Sequence, residues 1–99
     1  RNLIFRNLRS KTSNPDLRIG SIFYDIKRPK AIKNIVGNAN GASKQGAIVV
    51  ISDSQLDKVL TDKIMLERAK DIFKNEHYQF NEVVFIRDGE LIVFNRTGV

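Results

Sequence analysis

The sequence predicts an α+β domain in which a mainly antiparallel sheet packs against helices, in the order α-ββ-α-β-α-ββ. Two observations indicate this class. A two-residue turn containing glycine separates apolar strands near each end of the chain, at Gly20-Ser21 and at Asp88-Gly89. Between these hairpins lie two segments with apolar residues at helical spacing and one continuous apolar run. The 99 residues fit a single domain.

The first part of the chain predicts a short helix followed by a hairpin. The apolar side chains of residues 1–10 cluster at one-turn spacing, which is typical of a helical turn. The segment LRIGSIFYDIK, residues 17–27, has the pattern of two strands joined by a tight turn. Glycine at the first position of that turn favours type II′ geometry.

The middle of the chain predicts a helix and then a central strand. Apolar residues recur at spacings of three and four over residues 31–44, which indicates an amphipathic helix. Gly37 and Gly41 each weaken that helix by about 1 kcal/mol relative to alanine. The unbroken apolar run at residues 47–51 is typical of a strand that is buried on both faces.

A long helix and a second hairpin are predicted for the rest of the chain. Ser52 followed by Gln55 has the pattern of a capping box, and an apolar stripe continues from there. We therefore expect a helix over residues 52–75. The closing segment EVVFIRDGELIVF surrounds the Asp88-Gly89 pair, a strong hairpin signal.

Composition and charge exclude several functional classes. The chain has no cysteine and one histidine, which rules out disulfide scaffolds, thiolate zinc sites, cysteine nucleophiles and histidine-rich metal sites. No apolar run approaches 18 residues, so we expect no membrane insertion by this domain. Residues 1–46 carry a net charge of +8, whereas residues 47–99 carry −2. A basic half of this kind is typical of a surface for nucleic acid or for an acidic protein.

The first hairpin concentrates charged side chains on one predicted face. A two-residue turn places Asp16 opposite Asp25 and Arg18 opposite Phe23, and Lys27 follows Asp25 on the same face. Two opposed carboxylates repel each other and need a cation, a shared proton or nearby basic groups. The alternative interpretation is that these are ordinary charges on the solvent-facing side of a sheet.

The spacing of these residues also resembles a known nuclease signature. Pro15-Asp16, a turn and then Asp25-Ile26-Lys27 resemble the PD…(D/E)xK motif of restriction-endonuclease-like nucleases. In that family two acids hold a divalent metal, and the lysine steadies the attacking water or the scissile phosphate. The resemblance implies that Asp16 and Asp25 would hold Mg²⁺ in a metal-dependent DNase.

A wider resemblance covers residues 14–94. The succession of NPDLRIGSIFYDIKRPK, NANGASKQGAIVVIS and EVVFIRDGELIVF resembles the C-terminal toxin domains of contact-dependent growth inhibition proteins. It implies one toxin-type nuclease domain over residues 1–99. The fold it implies is of the barnase/EndoU/colicin/RelE type, with a restriction-endonuclease-like fold as the alternative. The start at Arg1 agrees with a module excised from a longer polypeptide.

The same resemblance implies a setting and partners. The domain would be secreted or delivered from the cell surface as part of a large protein and would act in the cytoplasm of a competing bacterium. A cognate immunity protein would neutralise it in the producing cell. Some relatives also depend on elongation factor Tu in the target cell.

We therefore expect an endoribonuclease that cleaves RNA, specifically tRNA, without a cofactor. The expected catalytic residues are Asp25, Lys27, His77 and Asp16; His77 carries the only imidazole, the group best suited to proton transfer near neutrality. Two alternatives stay open, a Mg²⁺-dependent DNase and a non-catalytic module that binds nucleic acid or an acidic protein. The residues expected to contact nucleic acid are Arg18, Arg28, Lys44, Gln45 and Arg96.

Overall fold

The computed structural model describes residues 17–99. The helix predicted within residues 1–10, and Asp16, lie outside the described residues. Short 3₁₀ turns precede the first helix and follow the last strand, at Ile32–Asn34 and Arg96–Gly98. The other elements are β1 (Leu17–Ile19), β2 (Ile22–Lys27), α1 (Ile35–Lys44), β3 (Ile48–Ser52), α2 (Asp62–Lys74), β4 (Glu82–Arg87) and β5 (Glu90–Asn95).

The five strands form one mixed sheet in the order β1-β2-β3-β4-β5. The outer pairs, β1 with β2 and β4 with β5, are antiparallel, whereas β2, β3 and β4 run parallel. The predicted succession of elements is confirmed for residues 17–99, but the sheet is mixed and not mainly antiparallel. The reason is that α1 and α2 each carry the chain back across the sheet, so that the next strand runs parallel to the one before.

Both helices cover the same face of the sheet, because the two crossovers advance in the same direction. The main core lies between this face and the helices, where α1 contributes Ile35 and Ala39, and β3 contributes Val49 and Ile51. A smaller apolar cluster lies on the opposite face. Its buried members are Ile26, Ile48, Val50 and Val84.

The two predicted hairpins are confirmed, with the predicted turns. Ile19 pairs with Ile22 across a turn in which Gly20 has φ +63°, as a type II′ turn requires at its first position. In the second hairpin Asp88 has φ +51° and Gly89 has φ +82°. Positive values at both positions are those of a type I′ turn, whose twist matches that of the flanking strands. The central strand is also confirmed, since all five residues of β3 are buried.

The long helix predicted over residues 52–75 is wrong in its first part. Ser52 belongs to β3, and its Oγ accepts a hydrogen bond from the Ser54 amide at 3.2 Å. The Asp53 amide continues the β3–β4 ladder by donating to the Ile86 carbonyl, so the chain is still paired as a strand at this position. Helix α2 starts only after Thr61, whose Oγ1 accepts from the Ile64 amide at 3.2 Å as an N-cap.

Candidate functional site

Strand β2 directs its charged side chains toward the face that carries the helices. Asp25 pairs with Val49 and Lys27 pairs with Ile51, and both of these β3 residues belong to the main core. Paired and alternate residues share one face of a sheet. The pairing of Arg18 with Phe23 confirms the predicted register of the hairpin for the described residues, whereas the predicted pairing of Asp16 with Asp25 lies outside them. The described side chains of its charged face are not all solvent-facing, because the Asp25 carboxylate is buried.

Asp25 and Lys27 form an ion pair at the edge of the main core. The distance from Lys27 Nζ to Asp25 Oδ2 is 3.2 Å, and the two side chains are 28% and 7% exposed, respectively. Removing a carboxylate from water is unfavourable unless a cation or hydrogen-bond donors compensate for the lost hydration. The pair therefore holds a charged carboxylate in a partly dry position while the ammonium keeps contact with solvent.

A glycine in α1 makes room for this lysine. A Cβ atom at Gly41 would lie 3.7 Å from Lys27 Nζ and 4.0 Å from Lys27 Cε. The lysine side chain thus lies close to the helix backbone at a position where no side chain projects. In sequence, Gly41 only weakened a helical pattern; in the structure it borders the ion pair.

The tip of the hairpin places an aromatic ring and a guanidinium on the same face. Arg18 pairs directly with Phe23, and its guanidinium carbon lies 5.7 Å from the centre of the ring. Arg18 Nε also donates to the Gly20 carbonyl at 2.7 Å, which fixes the side chain over the turn. The Phe23 residue is 38% exposed. Arg28, one residue beyond β2, is exposed as well.

Two other predicted site residues, Lys44 and Gln45, lie at the C-terminal end of α1, about one helical turn beyond Gly41. Lys44 ends this helix and is exposed, and Gln45 caps it through its backbone amide. The Gln79 amide donates to Ser43 Oγ at 3.3 Å, which joins the end of α1 to the loop that carries His77. His77 itself is exposed.

The His77 backbone amide donates to Asn75 Oδ1 at 2.9 Å. The structure thus brings Asp25 and Lys27 into contact, and the end of α1 that carries Lys44 and Gln45 is joined to the loop of His77.

Arg96 holds the loop that precedes β4. Its guanidinium lies 4.8 Å from the centre of the Phe73 ring, and its Nε donates to Asn81 Oδ1 at 3.1 Å. Its terminal nitrogens donate to the carbonyls of Phe73, Tyr78 and Phe80 at 2.6–2.9 Å. These contacts give Arg96 a structural role that the sequence pattern did not reveal; its predicted contact with nucleic acid stays a prediction.

The Tyr78 hydroxyl bridges the backbones of β3 and β4, and β3 is the neighbour of the strand that carries Asp25. Its hydroxyl accepts from the Val49 amide at 3.1 Å and donates to the Glu82 carbonyl at 2.6 Å. Burial raises the pKa of Tyr78 strongly. Burial also raises the pKa of Tyr24, with a further contribution from the Glu82 carboxylate, to which its hydroxyl donates at 3.3 Å.

Residues 17–99 alone do not form a site for a divalent cation. This part of the chain contains no cluster of three or more acidic or histidine side chains suited to a metal. Asp25 already has an ammonium at 3.2 Å, and Asp16, the second acid of the metal-dependent alternative, lies outside the described residues. Neither helix in this range is long and apolar enough to cross a membrane.

The fold and the site define a small α+β domain with a basic N-terminal half and a half-buried carboxylate–lysine pair on its first hairpin. The family model described as the contact-dependent growth inhibition CdiA C-terminal domain matches residues 12–91, and the chain belongs to this family. Searches of curated proteins and of solved structures each returned no match. The likeness to barnase-type or restriction-endonuclease-like folds therefore stays a prediction.

Family membership makes the domain a toxin domain of contact-dependent growth inhibition. Proteins of this family are delivered from the cell surface and act on target cells. Their C-terminal toxin domains are generally nucleases and generally pair with immunity proteins.

Proposed function

We propose that this domain is an endonuclease that cleaves RNA, specifically tRNA, in the cytoplasm of competing bacteria. The observation that carries the proposal is the Asp25–Lys27 ion pair, with its 3.2 Å contact and its partly dry position. A carboxylate and an ammonium held side by side provide a proton acceptor and a cation, the two groups that phosphodiester cleavage needs most. The net charge of +8 on residues 1–46 supports a polyanionic substrate.

The two side chains would divide the chemistry between them. The Lys27 ammonium has three N–H donors, and a side chain that is 28% exposed leaves some of them open to a phosphate oxygen. In that position it stabilises the negative charge that develops on the phosphate in the transition state. The Asp25 carboxylate would accept the proton of the attacking 2′-hydroxyl.

The remaining predicted residues would serve binding and proton transfer. Arg18 and Arg28 flank the ion pair in sequence and are exposed, so they would contact neighbouring phosphates. Lys44 and Gln45 lie on the segment that contacts the loop of His77. A bound RNA strand that reached both regions would bring His77 toward the leaving oxygen as a proton donor.

The partners follow from the same proposal. A cognate immunity protein with an acidic surface would cover the basic half of the domain and keep substrate away from Lys27. Elongation factor Tu of the target cell would act as a further partner if the substrate is presented as its tRNA complex. Neither partner needs a membrane-inserting segment in this domain.

One observation favours a second candidate, a Mg²⁺-dependent DNase. Asp25 and Lys27 stand two residues apart on a strand that is antiparallel to β1 and parallel to the central strand, and their side chains are in contact. The PD…(D/E)xK motif needs an acid and a lysine on one strand face in this way. Asp25 with Asp16 would be the metal-holding carboxylates.

Incubation of the purified domain with total bacterial RNA and with plasmid DNA, each with magnesium or with EDTA, tests the proposal. We expect discrete tRNA fragments that persist in EDTA. Lys27→Met should abolish them, whereas Lys33→Met, an exposed lysine of the same basic half, should not. DNA cleavage that EDTA prevents would favour the DNase.

A pure binding module predicts a different result. If neither nucleic acid is cleaved, even after addition of cell extract, the nuclease proposal is wrong. In that case Asp25→Asn should preserve or tighten nucleic-acid binding, because it removes a negative charge from a basic surface. A nuclease would instead lose cleavage while it still folds.

A further inference from the structure

Phe23 and Arg18 form an exposed platform beside the ion pair. We call these two residues the Arg18–Phe23 platform; Phe23 is 38% exposed, and the guanidinium carbon lies 5.7 Å from the centre of its ring. The hydrogen bond from Arg18 Nε to the Gly20 carbonyl holds the guanidinium in place. Both members lie on strands of a two-residue hairpin, so their relative position is set by the register of the backbone.

The platform shares its face of β2 with Asp25 and Lys27. Phe23 is two residues before Asp25, which corresponds to about 6.5 Å along a strand. Ile22, the neighbouring exposed apolar residue, points to the opposite face because side chains alternate. Scattered apolar side chains on a surface are ordinary. Here a guanidinium is fixed against an aromatic ring, and the ring lies two residues from a buried carboxylate–lysine pair on the same face of the strand. This arrangement is more specific than a single exposed apolar side chain.

We propose that the Arg18–Phe23 platform stacks an unpaired nucleobase next to the phosphate that Lys27 contacts, so that the substrate is a single-stranded stretch, loop or end of RNA. This inference rests on the proposed nuclease function and names its substrate class. Proteins recognise unpaired bases by stacking them on aromatic rings and on guanidinium planes. A base within a duplex is already stacked on both sides, and the platform has no access to its face.

The stacking contribution differs from that of the basic surface in its response to salt. Contacts between cations and phosphates release counterions, so their strength falls steeply as salt is raised. Stacking on Phe23 releases none. We therefore expect Phe23→Ala to lower affinity by the same factor at 50 and at 200 mM salt, whereas loss of the Arg18 charge should also reduce the salt dependence.

The test measures binding of a fluorescein-labelled 2′-O-methyl oligoribonucleotide in EDTA, single-stranded or annealed to its complement. The methyl group blocks the attacking hydroxyl, so binding is read without cleavage. We expect single strands to bind about ten-fold more tightly than the duplex, and Phe23→Ala to remove that preference. Phe23→Trp should keep it, whereas Phe23→Leu, which retains apolar volume without a π-face, should not.

Ile22→Ala is the matched control, because Ile22 is 46% exposed on the other face of the same strand and should leave the preference unchanged. Equal affinity for single strand and duplex, or full retention of the preference by Phe23→Leu, would overturn the platform. Cleavage of unmodified RNA in parallel separates the two proposals. Cleavage without a single-strand preference refutes the platform alone, preference without any cleavage refutes the nuclease alone, and absence of both binding and cleavage refutes both.

Discussion

Replacement of Lys27 by methionine tests the ion pair directly, because it removes the ammonium and keeps a long side chain against α1. The Asp25 side chain is 7% exposed and would lose a cation that now lies 3.2 Å from its Oδ2. Loss of one partner costs about 3–5 kcal/mol in a fully buried pair and about 0.2–1 kcal/mol in an exposed one. Since Lys27 is 28% exposed, we expect the free energy of unfolding to fall by about 1–2 kcal/mol.

A double-mutant cycle separates the pair from other effects of the substitution. Asp25→Asn alone removes the carboxylate beside Lys27, whereas Asp25→Asn with Lys27→Met removes both charges of the pair. The double variant should therefore be more stable than the sum of the single effects predicts, by about 1–2 kcal/mol. Urea unfolding followed by circular dichroism measures this. Each 1 kcal/mol corresponds to about 4–8 °C in the thermal midpoint of a domain of this size.

Cleavage in the same variants tests the catalytic assignment. Loss of either group should lower the cleavage rate by a factor of about 10²–10³, and the double variant should lose little more, because the two groups act on one phosphate. Lys27→Arg should keep stability better than activity, since it retains a charge but changes its position. Strictly additive stabilities would refute the ion pair, and substantial cleavage by Lys27→Met would remove Lys27 from the site.

Two further predictions concern the helix beside the site and the response to high pH. The methyl group of Gly37→Ala meets no atom within 4 Å, so this variant should stabilise α1 by about 0.5–1 kcal/mol without affecting cleavage. Gly41→Ala should stabilise α1 similarly but slow cleavage, because its methyl group touches Lys27. Equal cleavage rates of the two variants would contradict this. The raised pKa values of Tyr24 and Tyr78 favour the folded state up to about pH 10, where tyrosines of the unfolded chain begin to ionise, and stability should fall as the pH rises further. Tyrosinate absorbance, unmixed with tryptophan in this chain, should rise together with unfolding; tyrosinate formation in the folded protein would contradict this. Tyr78→Phe, which is less stable at neutral pH, should depend less on pH in that range.

Local signals in the sequence predicted the parts of the fold that depend on local geometry. Gly20-Ser21 and Asp88-Gly89 give both hairpins because only a few residue types accept positive φ at those turn positions. The hairpin register then placed Arg18 opposite Phe23, and Asp25 on the same face as Lys27. The apolar run of β3 predicted a strand that is buried on both faces.

The pairing of strands that are distant in the sequence is harder to predict from local patterns. The parallel pairing of β2 with β3 depends on how α1 crosses the sheet, and no local pattern encodes that path. The start of α2 was misjudged because Ser52 and Gln55 matched a capping box, while the Asp53 amide is held by the Ile86 carbonyl of a strand 33 residues away.

The physical chemistry of the ion pair itself supports function over stability as the reason for its presence. Replacing a buried pair by apolar side chains of similar volume is often neutral or stabilising, so the core beside Val49 and Ile51 does not require a carboxylate and an ammonium. Gly41, at the same place, lowers the helix propensity of α1 and leaves Lys27 space against the backbone. The ion pair and Gly41 are each less favourable for stability than an available alternative residue, and they lie next to each other in the fold. Local choices that oppose stability are expected at functional sites, because elsewhere they bring no compensating benefit.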